Sequence, residues 1–275
     1  MNFFPNWPIT IKRSDPTAPA TPMEMRTIQI PVTGHPEDRI TRQYALYFGK
    51  KLGASLLGIH TAVGGRFSST LESSGEPGID LFASFEKDCL ERGVPCRTAV
   101  RAETWEAILK DNSLQADLTI VPFGERFRLP GFRPKDALVP SALPLLLCPD
   151  RYIDIESMAL AYDGSDASKI ALEVAVHLSE KASWPLSVLM VPDDQQQGER
   201  WTDDVEIYID SLPINGTTII LSGTVEKALH RFMKEGSVEL LMMGTHGCRM
   251  HQPGSIGRIA AYMIEKADFP LLMVP

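Results

Sequence analysis

Short apolar runs alternate with amphipathic segments along the chain. From Ile28, the apolar run IQIPV breaks at Gly34, a segment with apolar residues at helical spacing follows, and a second apolar run, SLLGIHTAV, closes the unit. From Met158, MALAY breaks at Gly164 and is followed in the same way by an amphipathic segment and PLSVLMV. The two glycines lie 130 residues apart. This succession predicts a strand, a helix and a second strand, and it occurs twice.

The remainder of the chain also repeats. ADLTIVPFG matches VELLMMGTHG, and ALPLLLCP matches DFPLLMVP, with Pro144 and Pro270 126 residues apart. We therefore interpret the chain as an N-terminal arm (residues 1–25), a first domain (26–152) and a second copy of that domain (153–275). The arm lacks a continuous apolar region, so we expect an extended segment or a leader and not a signal peptide.

Each copy reads as five strands separated by four helices. The second helices are predicted at Leu81–Arg92 and Thr202–Leu212, and QQQGER ahead of the latter as a polar loop. Short strands that are apolar on both faces are typical of a parallel sheet covered by helices. The predicted fold class is α/β, with two tandem doubly wound domains, each a five-stranded parallel sheet with helices on both faces. Such sheets bind ligands beyond the carboxyl ends of the strands, here in the loops after the first, second and fourth strands.

The amino-acid composition argues against several classes of partner. Of 275 residues, 44% are hydrophobic and 23% are charged, and the formal net charge is −8. A negative balance without a lysine or arginine block argues against a nucleic-acid partner. No apolar run approaches the roughly 20 residues that span a bilayer, so no membrane partner is expected. The four cysteines form no CxxC pair and are interpreted as reduced thiols of a cytoplasmic protein: Cys89, Cys96, Cys148 and Cys248.

Two loops of the second copy carry candidate chemistry. Asp163 ends the first strand, where it is either a turn residue or a ligand-facing carboxylate, and Ser165 or Asp166 is suited to cap the next helix. After the fourth strand, glycines in the spacing G-x2-G-x9-G lead into the last helix. Successive backbone N–H groups and a helix N-terminus together favour an anion such as phosphate.

These stretches resemble a known family. YDGS, VEKAL, ELLMMGTHG with its later glycine, and A-x2-P followed by LLMVP are similar to the universal stress protein domain, in a tandem chain from about Arg26 to Pro275. The resemblance is strong in the second copy and weak in the first. It implies the adenine-nucleotide α-hydrolase-like fold. ATP-binding members carry G-x2-G-x9-G-(S/T/N) and an aspartate after the first strand.

The resemblance also implies a role for each matching residue. Asp163 would lie near the adenosine, and the backbone near Val191 would meet the adenine. Ala161 is a further candidate nucleotide-binding residue. The ligand would be ATP or another adenine nucleotide, with no metal beyond the magnesium that accompanies the nucleotide. The residues that would wrap the ribose and phosphates are Gly244, Gly247 and Gly257.

One position departs from the family pattern. Arg258 follows the last glycine, where the family has a small hydroxyl or amide residue. An arginine there either pairs with phosphate through two hydrogen bonds or fills the pocket and excludes ATP. Counting back from Pro270 places the helix start at Gly257 and Arg258. Ser255, three residues earlier, is a second candidate phosphate donor from the loop.

The first copy lacks this motif. Thr33 stands where Asp163 stands, and the loop after the fourth strand is four residues shorter than in the second copy. Prolines in that loop remove donors and disfavour a helix, and a carboxylate there would repel phosphate. We expect this half to be structural. The residues that break the motif are Pro122, Glu125, Pro130, Pro134 and Pro140.

The closing strands ALPLLLCP and FPLLMVP suggest an internal pairing. Last strands of the resembled family pair antiparallel between subunits, so here the two copies are expected to pair with each other as a pseudo-dimer. Ordinary edge strands covered by a helix are the alternative, and a homodimer of the whole chain stays open. His246, Cys248 and His251 are too few for a tight metal site and are interpreted as exposed loop residues.

The leading interpretation is a stress-response protein whose second domain binds an adenine nucleotide as a regulatory ligand. No catalytic triad, carboxylate pair or Walker lysine is found in the sequence, so at most slow ATP hydrolysis is expected. The alternative is an interaction module of the same fold that has lost nucleotide binding in both halves. A PP-loop pyrophosphatase is disfavoured, because AYDGSDAS does not supply the serine- and glycine-rich loop of that class.

Overall fold

The computed structural model describes residues 25–34, 38–61, 81–110, 115–123, 132–133, 141, 143–236, 238–247 and 256–275. Several residues of the sequence predictions lie outside these ranges. They are the arm up to residue 24 and Glu125, Pro130, Pro134, Pro140, Cys248, His251 and Ser255.

The described N-terminal half contains five strands and three helices. They are β1 (Thr27–Pro31), α1 (Asp38–Leu52), β2 (Ser55–Thr61), α2 (Ala83–Arg92), β3 (Cys96–Arg101), α3 (Trp105–Lys110), β4 (Leu118–Pro122) and β5 (Leu145–Cys148). The second helix begins two residues later than predicted and ends at the predicted residue.

The C-terminal half contains five strands and four helices. They are β6 (Met158–Tyr162), α4 (Asp166–Ala182), β7 (Leu186–Met190), α5 (Gln195–Ile209), β8 (Gly216–Ile220), α6 (Val225–Glu235), β9 (Leu240–Gly244), α7 (Arg258–Lys266) and β10 (Leu271–Val274).

Helix α5 corrects one sequence prediction. The prediction of a polar loop for QQQGER was wrong, because these residues form the first turns of α5. The Asp194 carboxylate caps the helix by accepting the Gln197 N–H at 2.8 Å. The helix ends at Ile209, three residues before the predicted end.

All ten strands belong to one sheet, in the order β3-β2-β1-β4-β5-β10-β9-β6-β7-β8. Neighbouring strands are parallel within each half, and β5 and β10 pair antiparallel at the centre. The α/β fold class and the pairing of the two closing strands are therefore confirmed. Because the central pair is antiparallel, the carboxyl ends of the strands in the two halves face opposite edges of the sheet.

Each face of the sheet has its own core. Consecutive strand residues, such as Leu56 and Leu57 of β2, point to opposite faces and join different clusters of buried side chains. Helices α1, α2, α4 and α5 cover one face, and α3, α6 and α7 cover the other. Among the described residues, no helix is long and apolar enough to cross a membrane.

Aromatic side chains join the two halves on the first of these faces. The Tyr47 ring stacks on Trp184 with 6.0 Å between centroids and 10° between planes. The Tyr44 hydroxyl donates to the Arg151 carbonyl at 3.3 Å and accepts the Ile153 N–H at 3.0 Å. Burial raises the pKa of Tyr44. The segment that connects the halves is thus held against helix α1.

Candidate functional site

A cavity of about 490 Å³ lies at the carboxyl ends of β6, β7 and β9. This is the edge of the sheet at which the sequence predicts a ligand. Ser255, the eighth predicted site residue, lies outside the described ranges. Seven of the eight predicted residues line the cavity: Ala161, Asp163, Val191, Gly244, Gly247, Gly257 and Arg258.

Asp163 is both a turn residue and part of the cavity wall. Its Oδ1 accepts the Ser165 N–H at 3.0 Å and the Ser165 hydroxyl at 2.5 Å. The Ser165 hydroxyl oxygen in turn caps α4 by accepting the Ser168 N–H at 3.2 Å. The two roles left open for Asp163 are therefore compatible, because the turn fixes the carboxylate on the cavity side.

None of the three motif glycines has a positive φ, so any restriction on a side chain there comes from close approach and not from backbone angle. A Cβ on Gly244 would lie 2.8 Å from the Cβ and 2.9 Å from the carbonyl carbon of Ala167, so the packing of β9 against α4 excludes a side chain. A Cβ on Gly247 would lie 2.9 Å from Asp163 Oδ2. Gly257 is less restricted, with the nearest atom 3.3 Å away.

Helix α7 opens at the cavity. The Gly257 N–H donates to the Thr245 carbonyl at 2.8 Å, which fastens the helix start to the end of β9. The Ala261 N–H makes the first bond back along the helix, to the Gly257 carbonyl at 2.9 Å. The preceding N–H groups have no partner within the helix, and its first turn holds no acidic residue. This end of the cavity is therefore suited to an anion.

Arg258 borders the cavity but does not fill it. Its guanidinium forms an ion pair with the Glu226 carboxylate, which belongs to the first turn of α6. The Arg258 side chain is 77% exposed and that of Glu226 only 12%. The arginine thus lies across the rim between two helix N-termini, and the space beside the glycine loop stays open.

Sequence reasoning missed the residues that α5 contributes. Trp201 packs edge-on against Tyr162, with ring centroids 6.3 Å apart, and lines the cavity. It also lies over Gly164, where a Cβ would be 2.6 Å from the indole nitrogen. Gln197 lines the cavity one turn earlier, and its Oε1 accepts the Asp193 N–H at 2.7 Å. Since the oxygen is engaged, the amide nitrogen of Gln197 is left as a donor.

A signal for these residues was present in the sequence. Asp194 followed three residues later by Gln197 is the spacing of a helix N-cap with a supporting amide at the third position. Trp201 comes four residues after Gln197, so a helix that begins at Gln195 places both on one face. The prediction failed because QQQGER was judged by its polarity alone.

The histidine of the glycine loop is bonded within the loop. His246 Nδ1 lies 2.7 Å from the Thr245 hydroxyl. Among the described residues, no group of three or more histidine, cysteine, aspartate and glutamate side chains is arranged to hold a metal ion.

The first loop of the N-terminal half is arranged differently. Asp38, the first residue of α1, is 5% exposed. Its carboxylate accepts the Thr33 N–H at 2.6 Å, the Thr33 hydroxyl at 2.8 Å and the Gly34 N–H at 3.0 Å. Burial raises the pKa of Asp38, while these hydrogen bonds oppose the shift. The donors of this loop are therefore used by a carboxylate of the chain itself.

Comparisons with known proteins show which family and which solved structures the chain resembles. A sequence model of the universal stress protein family matches residues 155–275. A universal stress protein of Synechocystis sp. is 26% identical over 131 residues, which are 47% of this chain and 46% of that protein. The match thus spans less than half the length of that relative.

Solved structures show the fold over most of the chain. A universal stress protein from Archaeoglobus fulgidus has a TM-score of 0.69 at 16% identity, covering 91% of this chain and 98% of that one. A functionally unknown protein from Pseudomonas aeruginosa has a TM-score of 0.63 at 13% identity, covering 92% and 93%. Both halves of the chain therefore take part in the structural likeness.

Proposed function

Because residues 155–275 make the chain a member of the universal stress protein family, we propose that its C-terminal half binds ATP or a related adenine nucleotide as a regulatory ligand. The N-terminal half has a structural role in this proposal. The shared strand order of the two halves supports the interpretation that the chain is a tandem repeat of one domain.

The single observation that carries the proposal is the cavity at the carboxyl ends of β6, β7 and β9. Its volume of about 490 Å³ falls within the range of roughly 300–1,000 Å³ that small-molecule sites occupy. Apolar side chains of both strands and helices line the cavity, together with polar groups such as Asp163, Gln197 and Arg258. A nucleotide has the same division, with an apolar base face, a polar ribose and an anionic tail.

One end of the cavity suits phosphate. The backbone of Gly244 and Gly247 and the N-terminus of α7 supply N–H groups without bulky side chains, which favours a close anion. Arg258 lies at the same end as a cation within reach of the rim. The other end suits a base, because Trp201 presents an aromatic ring and Gln197 an amide donor.

A regulatory role, rather than a catalytic one, follows from the chemical groups that line the cavity. The described lining residues supply binding and hydrogen bonding, and any hydrolysis would be slow. A bound nucleotide would contact α4, α5, α6 and α7 at once, so occupancy would stabilise the C-terminal half by mass action. The surface that these helices present to a protein partner would change with it.

Binding is tested on the purified full chain. Nucleotide released by denaturation is identified by mass spectrometry, and ATP, ADP and AMP are titrated by calorimetry with parallel thermal unfolding. We expect a co-purified adenine nucleotide, or heat of binding together with a raised unfolding temperature. If millimolar nucleotide produces neither, the proposal is wrong, and an interaction module of the same fold becomes the better interpretation.

A matched pair of variants locates the site. Val191→Trp fills the cavity from the end of β7, whereas Thr61→Trp makes the same change at the end of β2 in the N-terminal half. We expect binding to be lost in the first variant and kept in the second. Equal loss in both variants would contradict a site in the C-terminal cavity.

A further inference from the structure

We infer that Glu226 determines how much the phosphate groups of a nucleotide add to its affinity, by competing with them for Arg258. The inference rests on the proposed nucleotide function and assigns a role to a residue outside the cavity lining. It also explains how an arginine is tolerated where a small polar residue is usual.

The ion pair stands where the tail of a nucleotide would lie. Arg258 is the first residue of α7, and Glu226 is the second residue of α6. Val225 and Leu229 of α6 and Ile259 of α7 line the cavity between them. The pair therefore connects the two helix N-termini across the phosphate end of the cavity.

The two partners are held unequally. The Glu226 side chain is 12% exposed and lies in the first turn of an 11-residue helix, where the helix dipole favours a negative charge. The Arg258 side chain is 77% exposed and begins a helix, where the dipole disfavours a positive charge. The carboxylate is thus the fixed partner, and the guanidinium is the one that turns.

A phosphate group is able to replace Glu226 as the ion-pair partner of Arg258, but the exchange leaves the Glu226 carboxylate unpaired. An ion pair whose cation is as exposed as Arg258 contributes little stability, and a phosphate offers the guanidinium two charge-assisted hydrogen bonds. Once Arg258 turns away, Glu226 keeps its negative charge close to the incoming phosphates. Among the described lining residues Arg258 is the single lysine or arginine, whereas Asp163 and Asp193 are acidic. Each added phosphate is therefore expected to raise the affinity less than a free arginine would allow.

The test compares ligands that differ only in phosphate number. Adenosine, AMP and ATP are titrated by calorimetry into the full chain and into Glu226→Gln, in EDTA and at low salt. We expect the ratio of AMP to adenosine affinity to rise about twofold to fivefold in the variant, as the release of one exposed ion pair allows. The ratio of ATP to adenosine affinity is expected to rise further. Glu226→Asp, which keeps the charge, is expected to retain a ratio near the original.

Glu235→Gln is the matched control. Glu235 ends the same helix and is exposed, so this variant removes the same charge from α6 away from the cavity. Its affinity ratios are expected to stay unchanged. Unfolding temperatures without ligand show whether each variant is folded, and Glu226→Ala, which also removes the charge, carries the comparison if Glu226→Gln is not.

The outcomes separate this inference from the proposed function. Binding of all three ligands with the same ratios in Glu226→Gln would overturn the inference and leave the nucleotide site standing. An equal rise of the ratios in Glu235→Gln would also overturn it, since the effect would then be one of overall charge. Failure of every ligand to bind the unchanged chain would overturn the nucleotide function and the inference together.

Discussion

The two halves of the sheet have the same strand order but differ in what occupies the loop after their first strand. In the C-terminal half, Asp163 holds Ser165, and Ser168 borders an open cavity. In the N-terminal half, Asp38 stands four residues after the loop glycine, as Ser168 does, and its carboxylate accepts three hydrogen bonds from that loop. A single longer acidic side chain therefore uses the donors that would otherwise face a ligand.

The side chain that packs on the loop glycine also differs between the two halves. A Cβ on Gly34 would lie 2.9 Å from Leu81, and a Cβ on Gly164 would lie 2.6 Å from Trp201. Both glycines have positive φ, so the backbone takes the left-handed conformation at this position in the two halves. This glycine conformation is therefore common to both halves, whereas the side chain packed on it determines whether the cavity has an aromatic wall for the proposed nucleotide.

The comparison assumes that the two halves form one cooperative unit, which Trp184→Ala would test. Trp184 belongs to the C-terminal half but stacks on Tyr47 and packs against Phe48 of the N-terminal half. Truncating a buried tryptophan is expected to cost about 3–5 kcal/mol of unfolding free energy. Urea unfolding with hydrogen exchange resolved by segment should show weaker protection in both halves.

Trp105→Ala is the control for that experiment. Trp105 is buried at 3% exposure within the core on the other face, in α3. Its loss should weaken the N-terminal half first. Protection that falls only in the C-terminal half of Trp184→Ala would show that the halves unfold independently.

Gly244→Ala is expected to have the next largest effect. The added Cβ would meet Ala167, including its carbonyl carbon, and the overpacking is expected to cost about 1–3 kcal/mol. Gly257→Ala, whose Cβ would lie 3.3 Å from the Thr245 carbonyl oxygen, is expected to lose less stability in urea unfolding. Equal stability of the two variants would show that β9 and α4 have room to separate, contrary to the packing described above.

Asp38→Ala tests whether the carboxylate of the N-terminal half is structural. The Thr33 and Gly34 N–H groups and the Thr33 hydroxyl would lose the acceptor that Asp38, itself 5% exposed, provides, at an expected cost of about 2 kcal/mol. Ser168→Ala removes one side-chain hydrogen bond at the corresponding position, at an expected cost of about 1 kcal/mol. Thermal and urea unfolding should rank them in this order, and the reverse order would mean that water replaces the carboxylate.

Trp201→Leu gives the C-terminal cavity the aliphatic wall of the N-terminal half. Stability should change little, because leucine already packs over the same turn at Gly34. If the proposed nucleotide binds, losing the aromatic face is expected to weaken it about fivefold, near the lower end of base–aromatic stacking energies. Calorimetric titration measures this, with Trp105→Phe as the control. An unchanged affinity would place the base elsewhere in the cavity.

Much of the fold was predictable because its signals are local or repeated. Apolar runs of strand length, amphipathic segments between them and their recurrence 130 residues later predicted the five parallel strands of each half, which join in one ten-stranded sheet. The start of α7 at Arg258 followed from counting back from Pro270. The edge of the sheet that holds the cavity followed from topology alone, since strand ends of a doubly wound sheet share one edge.

The predictions were weaker wherever a contact joins distant segments. The polar run at Gln195 was misread because its helix is stabilised by a cap and by packing of its apolar face, and not by hydrophobic residues in its first turn. Nothing near Arg258 in the sequence indicates Glu226, which lies 32 residues earlier and on another helix. Trp201 lines the cavity because of where α5 packs, which the sequence alone does not indicate.

Periodicity and the glycine spacing were thus sufficient to establish the strands, the helices and the edge of the sheet at which the candidate site lies. Both signals consist of residues spaced regularly along the sequence, so they can be recognised without the tertiary structure. The state of the site depended on packing between elements: Ala167 explains Gly244, Asp38 uses the donors of the first loop, and Glu226 holds Arg258 at the rim. Such contacts arise only when the sheet brings separate loops to the same edge.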